Sequence, residues 1–256
     1  MAKKIALLNF KGGVGKTTTT VNLGKALHLL KRKVLLIDLD SQVNATDIMG
    51  YDRGDGDTIF EAMCSKSPTP LPVYEHEPGF DFVPASVRLE DIDEALVGRL
   101  RREDILKTLM IPYEEEYDYI LIDCPPNRGV MTVNAMCAAD SLIVPIDSEI
   151  LSLQGMGEIT AKFEMIKSTA NPKLEILGYL LTRYNSRLRL HNTVAESMEA
   201  NYSDKVFKTK IRLNVTLAEM PAQRQNIFEY DSLSNGAKDY MALAEEITGL
   251  KFQRKK

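Results

Sequence analysis

The sequence predicts an α/β protein built on a mostly parallel, twisted sheet with helices on both faces. Three observations carry this. Short uninterrupted apolar runs recur along the chain, as in strands buried on both sides. Stretches with helical periodicity separate them, the alternation expected of βαβ units. A glycine-rich segment follows the first run and leads into the first helical pattern, where such folds turn from strand to helix.

Taken in order, Ile5–Leu8 reads as the first strand. Thr17–Leu30, with Val21, Leu23, Ala26, Leu27 and Leu30 apolar, reads as a helix with one buried face. Val34–Ile37, Phe80–Val83, Tyr119–Ile122, Leu142–Val144 and Ile176–Leu181 supply five more strands. Leu89–Leu109 reads as one charged amphipathic helix and Leu233–Ile247 as the last helix. Tyr51–Gly79, with its Gly, Pro and Asp clusters, reads as loop with a short helix near Ile59–Met63. The tail Gln253–Lys256 is expected to fray. Ligands of parallel sheets bind beyond the carboxyl ends of the strands. That directs attention to Asn9–Thr17, Asp38–Thr46, Asp123–Gly129 and Pro145–Glu149.

The 256 residues, 44% hydrophobic and 27% charged, suit one folded domain spanning 1–256. Cys64, Cys124 and Cys137 are too few and too scattered for a disulfide framework or a zinc site, so a reducing cytoplasm is expected. The apolar run after Lys3-Lys4 stops at Lys11, short of a signal peptide. No run reaches the ~20 apolar residues of a membrane helix. The net charge of −4 hides a division. Residues 1–166 hold 17 Lys+Arg against 26 Asp+Glu, whereas residues 167–256 hold 15 against 10. An acidic body with a basic C-terminal third keeps an anionic partner open.

Three motifs carry chemistry. Lys11-Gly12-Gly13-Val14-Gly15-Lys16-Thr17, continuing into Thr18, is a phosphate loop. Glycines let successive N–H groups turn inward, and the helix start adds positive partial charge. Lys16 is placed to neutralise β- and γ-phosphate charge, and the Thr17 hydroxyl to bind Mg²⁺. Val34–Thr46 ends a strand with Asp38 and Asp40, and Tyr119–Pro126 ends one with Asp123. A carboxylate at such a strand end holds Mg²⁺, often through water. Pro125-Pro126 then force the chain out of the sheet. Cys124 reads as a packed thiol.

The loop departs from G-x-x-x-x-G-K-[ST], with Phe10 at the first glycine position and a second lysine, Lys11, opening the loop. In this it resembles the ParA/MinD family of P-loop ATPases, whose deviant Walker A motif has the form K-G-G-x-G-K-T. Asp38–Thr46 is similar to that family's D-x-D-P-Q-G-N-A-T segment, with Ser41 and Val43 where Pro and Gly are usual. Phe80–Ser86, Leu217–Pro221 and Asn226–Asp231 extend the likeness along nearly the whole chain and toward the ParA branch. The resemblance implies a Mg²⁺-dependent ATPase, slow without a partner, that partitions a plasmid, chromosome or mobile element. It implies that Lys11 reaches the nucleotide of the partner subunit in an ATP-dependent sandwich homodimer. Asp40 would orient the attacking water, and Thr17, Asp38 and Asp123 would serve the metal.

It also implies a ParB-like partner protein, non-specific DNA binding and nucleoid association in the ATP state. Candidate DNA contacts are Arg187, Arg189, Lys210 and Arg212, with Arg183, Lys205, Lys208 and Arg224 nearby in the basic third. Tyr184-Asn185-Ser186-Arg187 keeps a family pattern. Thr182, Arg183 and the loop around Pro221 are expected near the base. Because the phosphate loop begins at residue 11, no N-terminal helix-turn-helix domain is expected. The alternative is a MinD-like membrane-associated positioning ATPase. That reading needs a C-terminal amphipathic helix, and Gly249–Lys256 offers only Leu250 and Phe252, so no membrane partner is expected. An iron–sulfur reductase shares the loop, but Cys124 and Cys137 do not match its cysteine motifs.

Overall fold

In a computed structural model, residues 1–252 are described except 53, 55, 68, 150, 151, 153 and 154. The tail expected to fray, Gln253–Lys256, lies outside them. The elements are β1 (Lys3–Leu7), α1 (Lys16–Leu29), β2 (Val34–Asp38), α2 (Asn44–Ile48), α3 (Ile59–Cys64), β3 (Tyr74–Glu77), β4 (Phe80–Val83), α4 (Ile92–Ala95) and α5 (Ile105–Met110). They continue with β5 (Tyr119–Asp123), α6 (Val130–Ala138), β6 (Ser141–Asp147), α7 (Met156–Thr169), β7 (Glu175–Thr182), α8 (Arg189–Tyr202), α9 (Val215–Glu219), α10 (Ile227–Tyr230) and α11 (Asn235–Thr248).

Seven strands form one sheet in the order β3-β4-β2-β5-β1-β6-β7. Every neighbouring pair is parallel except β3–β4. The apolar runs divide between two cores because successive side chains point to opposite faces. Ile5 and Leu7 of β1 join Leu36 and Leu121 under α1 and α11. Ala6 and Leu8 join Ile37 and Ile122 under α6 and α7. Both layers exclude water from the central strands, whose residues in β2 and β5 are all buried.

Helix α1 approaches the sheet unusually closely. A methyl group built on Gly24 would meet the Phe80 ring carbons Cε2 and Cζ at 3.0 Å. A glycine here lets the helix that carries the phosphate loop rest on β4 and β5.

Two expectations are corrected. The single helix over Leu89–Leu109 is broken into a 3-10 turn at Val87–Asp91, α4, a second 3-10 turn at Arg102–Asp104, and α5. Gly98 (φ 74°) and Arg101 (φ 53°) adopt left-handed backbone that no helix can contain. The breaks turn Val97 and Leu100 out to solvent. The segment Tyr51–Gly79 contains not only the short helix but also the antiparallel edge strand β3. Its YEHE sequence is polar because ion pairs as well as apolar packing hold it. Lys25 of α1 pairs with Glu77 and lies 3.9 Å from Glu229 of α10.

Candidate phosphate and metal site

The three central strands bring the three motifs together. Asp38 at the end of β2 is in register with Asp123 at the end of β5, and Asp123 with Leu7 at the end of β1. The loop leaving β1 therefore passes directly beside both aspartates.

Within that loop Gly13 (φ 73°) and Gly15 (φ 89°) are left-handed, which L side chains rarely adopt. Nothing lies within 4 Å of a methyl group built on Gly12 or Gly13, so the loop opens on free space of the kind a phosphate chain needs. Lys16 is buried, and its Nζ donates to the loop's own Lys11 carbonyl at 3.1 Å. Burial pulls its ammonium below the usual lysine range, against the raising influence of Asp123 and Asp40.

Asp123 is fully buried and accepts from two threonines of α1. Thr17 Oγ1 reaches Oδ2 at 2.7 Å and Thr20 Oγ1 reaches Oδ1 at 3.0 Å. Burial, reinforced by the charge of Asp38, raises its carboxyl to about 8. Burial also raises Asp38, to about 6. Its Oδ1 accepts from the Asp40 N–H at 3.0 Å, and its Oδ2 accepts from the N–H and hydroxyl of Thr46 at 2.9 and 2.7 Å. Three of about four carboxylate acceptor sites are thereby used by Asp40 and Thr46. Asp40, also raised by burial, accepts from the Gln42 N–H at 3.1 Å.

Val43 stands where the resembling family has glycine, and it takes φ 53°. For a β-branched residue this is a strained conformation. Its side chain is 2% exposed within the core, and that burial offsets the strain. The loop therefore keeps a defined shape without the family's Gly.

Lys11 is half-exposed. Its Nζ lies 3.2 Å from Ser152 Oγ and 3.7 Å from Glu149 Oε2, beyond the end of β6. The fourth strand end thus contributes, as Asn9 also donates to the Pro145 carbonyl at 2.8 Å. Cys124 is fully buried with its thiol pushed well up, an inert packed group. Cys137 is buried too, so neither thiol is presented on a surface for a shared cluster.

The residues fit Mg²⁺ carried by a nucleotide. The Thr17 hydroxyl and Asp123 supply hard oxygens beside an open phosphate cradle. No cluster of three or more His, Cys, Asp or Glu side chains suited to hold a metal occurs among the described residues. Mg²⁺ usually takes its remaining ligands from phosphate and water.

Beside the loop, a cavity of about 270 Å³ is walled by Gly13, Thr18, Thr182, Arg183, Leu213 and Leu217. Thr182 and Arg183, expected near the base, both line this cavity. The loop around Pro221 does not line the cavity. It forms a 3-10 turn drawn away by Asn22, whose side chain contacts Met220 Sδ and accepts from the Ile227 N–H. Two larger surface clefts, of about 560 and 810 Å³, contain none of the loop residues.

The basic candidates separate into two groups. Arg187, in the turn after β7, and Arg189, the first residue of α8, are exposed and make no ion pair among the described residues. Lys205 and Lys208 are exposed as well. Lys210 pairs with Glu199 at 3.1 Å, and Arg212 grips Asp239 with two nitrogens. Arg183 lies 3.5 Å from Asp147. Arg224 donates to the Asp47 and Tyr51 carbonyls and to Asp52.

Sequence reading passed over Thr20, Thr46 and Asn22. The signal for Thr20 was its place four residues after Lys16, on the same helix face.

The AAA domain family matches residues 2–176. The chain is 37% identical to the sporulation initiation inhibitor protein Soj of Bacillus subtilis, over 96% of this chain and 98% of that one. It is 37% identical to the chromosome partitioning protein ParA of Myxococcus xanthus, over 95% of this chain and 87% of that one. Cobyrinic acid a,c-diamide synthase from Mycobacterium smegmatis, solved with ADP and magnesium, superposes with a TM-score of 0.83 at 29% identity, with both chains fully covered.

Proposed function

The chain belongs to the ParA/Soj family of P-loop ATPases, and on that premise we propose that it is a Mg²⁺-dependent ATPase that partitions DNA through a nucleotide-gated dimer. The observation that carries this is the convergence of Lys16, Asp40 and Asp123 at three adjacent strand ends, with Lys11 standing outward beside them.

The loop N–H groups and Lys16 bind the phosphates, Lys16 exchanging its resting bond to the Lys11 carbonyl for a phosphate oxygen. Thr17 and Asp123 would hold Mg²⁺, which supplies neutralising charge on the phosphates. Asp40 accepts a hydrogen bond from the attacking water and aligns it, since positioning is most of what phosphoryl transfer asks of a protein. Lys11 leaves Ser152 and Glu149 and crosses to the nucleotide of a second copy.

Dimerisation doubles the surface bearing Arg187, Arg189, Lys205 and Lys208, which suits a salt-sensitive hold on DNA phosphates. A ParB-like partner speeds hydrolysis and releases the dimer, so nucleoid association follows the ATP state. Two apolar residues that a membrane contact would use are engaged elsewhere. Leu250 and Phe252 pack against the core, and the Phe252 N–H is held by Glu245 at 2.7 Å. No helix among the described residues is long and apolar enough to cross a bilayer.

Co-sedimentation with DNA and with anionic liposomes, each with and without ATP, tests the reading. ATP-dependent binding to DNA alone is expected. Binding to liposomes alone would transfer the protein to the MinD-like class.

A further inference from the structure

We propose that Thr46 is a positioning residue for hydrolysis, acting through Asp38 to hold the loop that carries Asp40. The inference rests on the ATPase reading above.

Thr46 is 1% exposed, and its hydroxyl sits between two partners. The Ala85 N–H, just past the end of β4, approaches Oγ1 at 2.8 Å. An N–H can only donate, so this bond uses an oxygen lone pair and leaves the hydroxyl proton for the 2.7 Å contact with Asp38 Oδ2. The Thr46 N–H donates to the same oxygen at 2.9 Å. The other oxygen of Asp38 accepts from the Asp40 N–H at 3.0 Å. Asp38 is thereby clasped by both ends of the 39–45 loop, and Thr46 fixes the clasp to the sheet.

The anchorage continues outward. Ala85 follows Pro84, whose carbonyl accepts from the Ile59 N–H at 2.9 Å at the start of α3. The Phe80–Ser86 segment, to which the mechanism assigns no chemical role, thus acts as the abutment for the loop. Apart from that clasp, Asp40 is held only by the loop's own backbone among the described hydrogen bonds: its side chain accepts the Gln42 N–H at 3.1 Å and its carbonyl accepts the Val43 N–H at 2.9 Å.

Thr46→Val keeps the shape and removes both hydroxyl bonds. A displacement of Asp40 of about 1 Å should lower kcat by ten- to a hundredfold. Phosphate binding, set by the other loop, should change little. The test uses the full chain in steady-state ATP hydrolysis with Mg²⁺, beside binding of a fluorescent ATP analogue and a thermal melt. T46V should lose kcat while KM and analogue affinity stay within about twofold, and T46S, which restores the hydroxyl, should recover most of the rate.

If T46V does not fold, T46A, which places no methyl group against the carboxylate, is read by the same criteria. A folded T46V or T46A that hydrolyses ATP at the wild-type rate overturns the proposal. So does T46S failing as badly as T46V. If the wild-type chain binds the analogue but never hydrolyses ATP, it is the ATPase reading that fails instead.

Discussion

Gly24→Ala sets two known effects against each other at the helix that carries the phosphate loop. In a solvent-exposed helix interior this change would stabilise by about 1 kcal/mol. Here the new methyl would sit 3.0 Å from Phe80 Cε2 and Cζ, with Leu121 Cδ1 at 3.5 Å. Phe80 is fully buried, with the His28 ring 6.0 Å away on one side and the His76 ring edge-on at 5.6 Å. It has little room to yield. Overpacking of this kind costs about 1–3 kcal/mol, so the expected net loss is about 1 kcal/mol. For a chain of this size that lowers Tm by about 2–4 °C.

Thermal melts of G24A, F80L and the double variant measure it. The loss should shrink when Phe80 is shortened, giving a favourable coupling in the cycle. A G24A protein that melts 2 °C or more above wild type would refute the reasoning, because helix propensity would then outweigh the close approach.

Other expectations bear on the site. Asp123 and Asp38 carry folded pKa values raised above those of the unfolded chain, so over that interval the folded state holds more protons. Stability of the metal-free protein should fall as pH rises from about 4 toward 8, and Mg²⁺–ADP should stabilise more at pH 8 than at pH 6. Equal shifts of Tm at both pH values would contradict the assigned burial effect. Asp40→Ala should bind ATP and accumulate as a dimer on size exclusion with no product formed, whereas rapid turnover would remove Asp40 from its role. Arg187→Ala combined with Arg189→Ala should weaken DNA binding and reduce the slope of log K against log salt by about 1–2, read by fluorescence anisotropy. An unchanged slope would place the DNA surface elsewhere.

Much of the site was legible because its signals are local. Strand-end aspartates and a glycine loop occupy short contiguous stretches, and burial on both faces writes the central strands as unbroken apolar runs. What escaped depends on partners distant in sequence. The polar strand β3 is held by Lys25, 52 residues from Glu77. Arg212, which reads as a free cation, belongs to Asp239. The hydroxyl of Thr46 has a partner 39 residues away at Ala85. The broken helix over Leu89–Leu109 escaped for a different reason. Its apolar spacing survives the left-handed kinks at Gly98 and Arg101, so periodicity could not reveal them.

Thr182 joins two parts of the molecule that the sequence keeps far apart. Its hydroxyl lies 2.9 Å from the Val14 carbonyl of the phosphate loop and 3.2 Å from the Ile146 carbonyl of β6, and the next residue is Arg183. One residue later, Tyr184 exchanges backbone hydrogen bonds with Ile211 and Leu213 on either side of Arg212. A single side chain thus ties the phosphate loop to the segment that carries Arg183 and, through Tyr184, to the backbone on either side of Arg212. If a ligand in the phosphate loop shifted this segment, anything bound at the segment would by reciprocity change the affinity of the loop for that ligand.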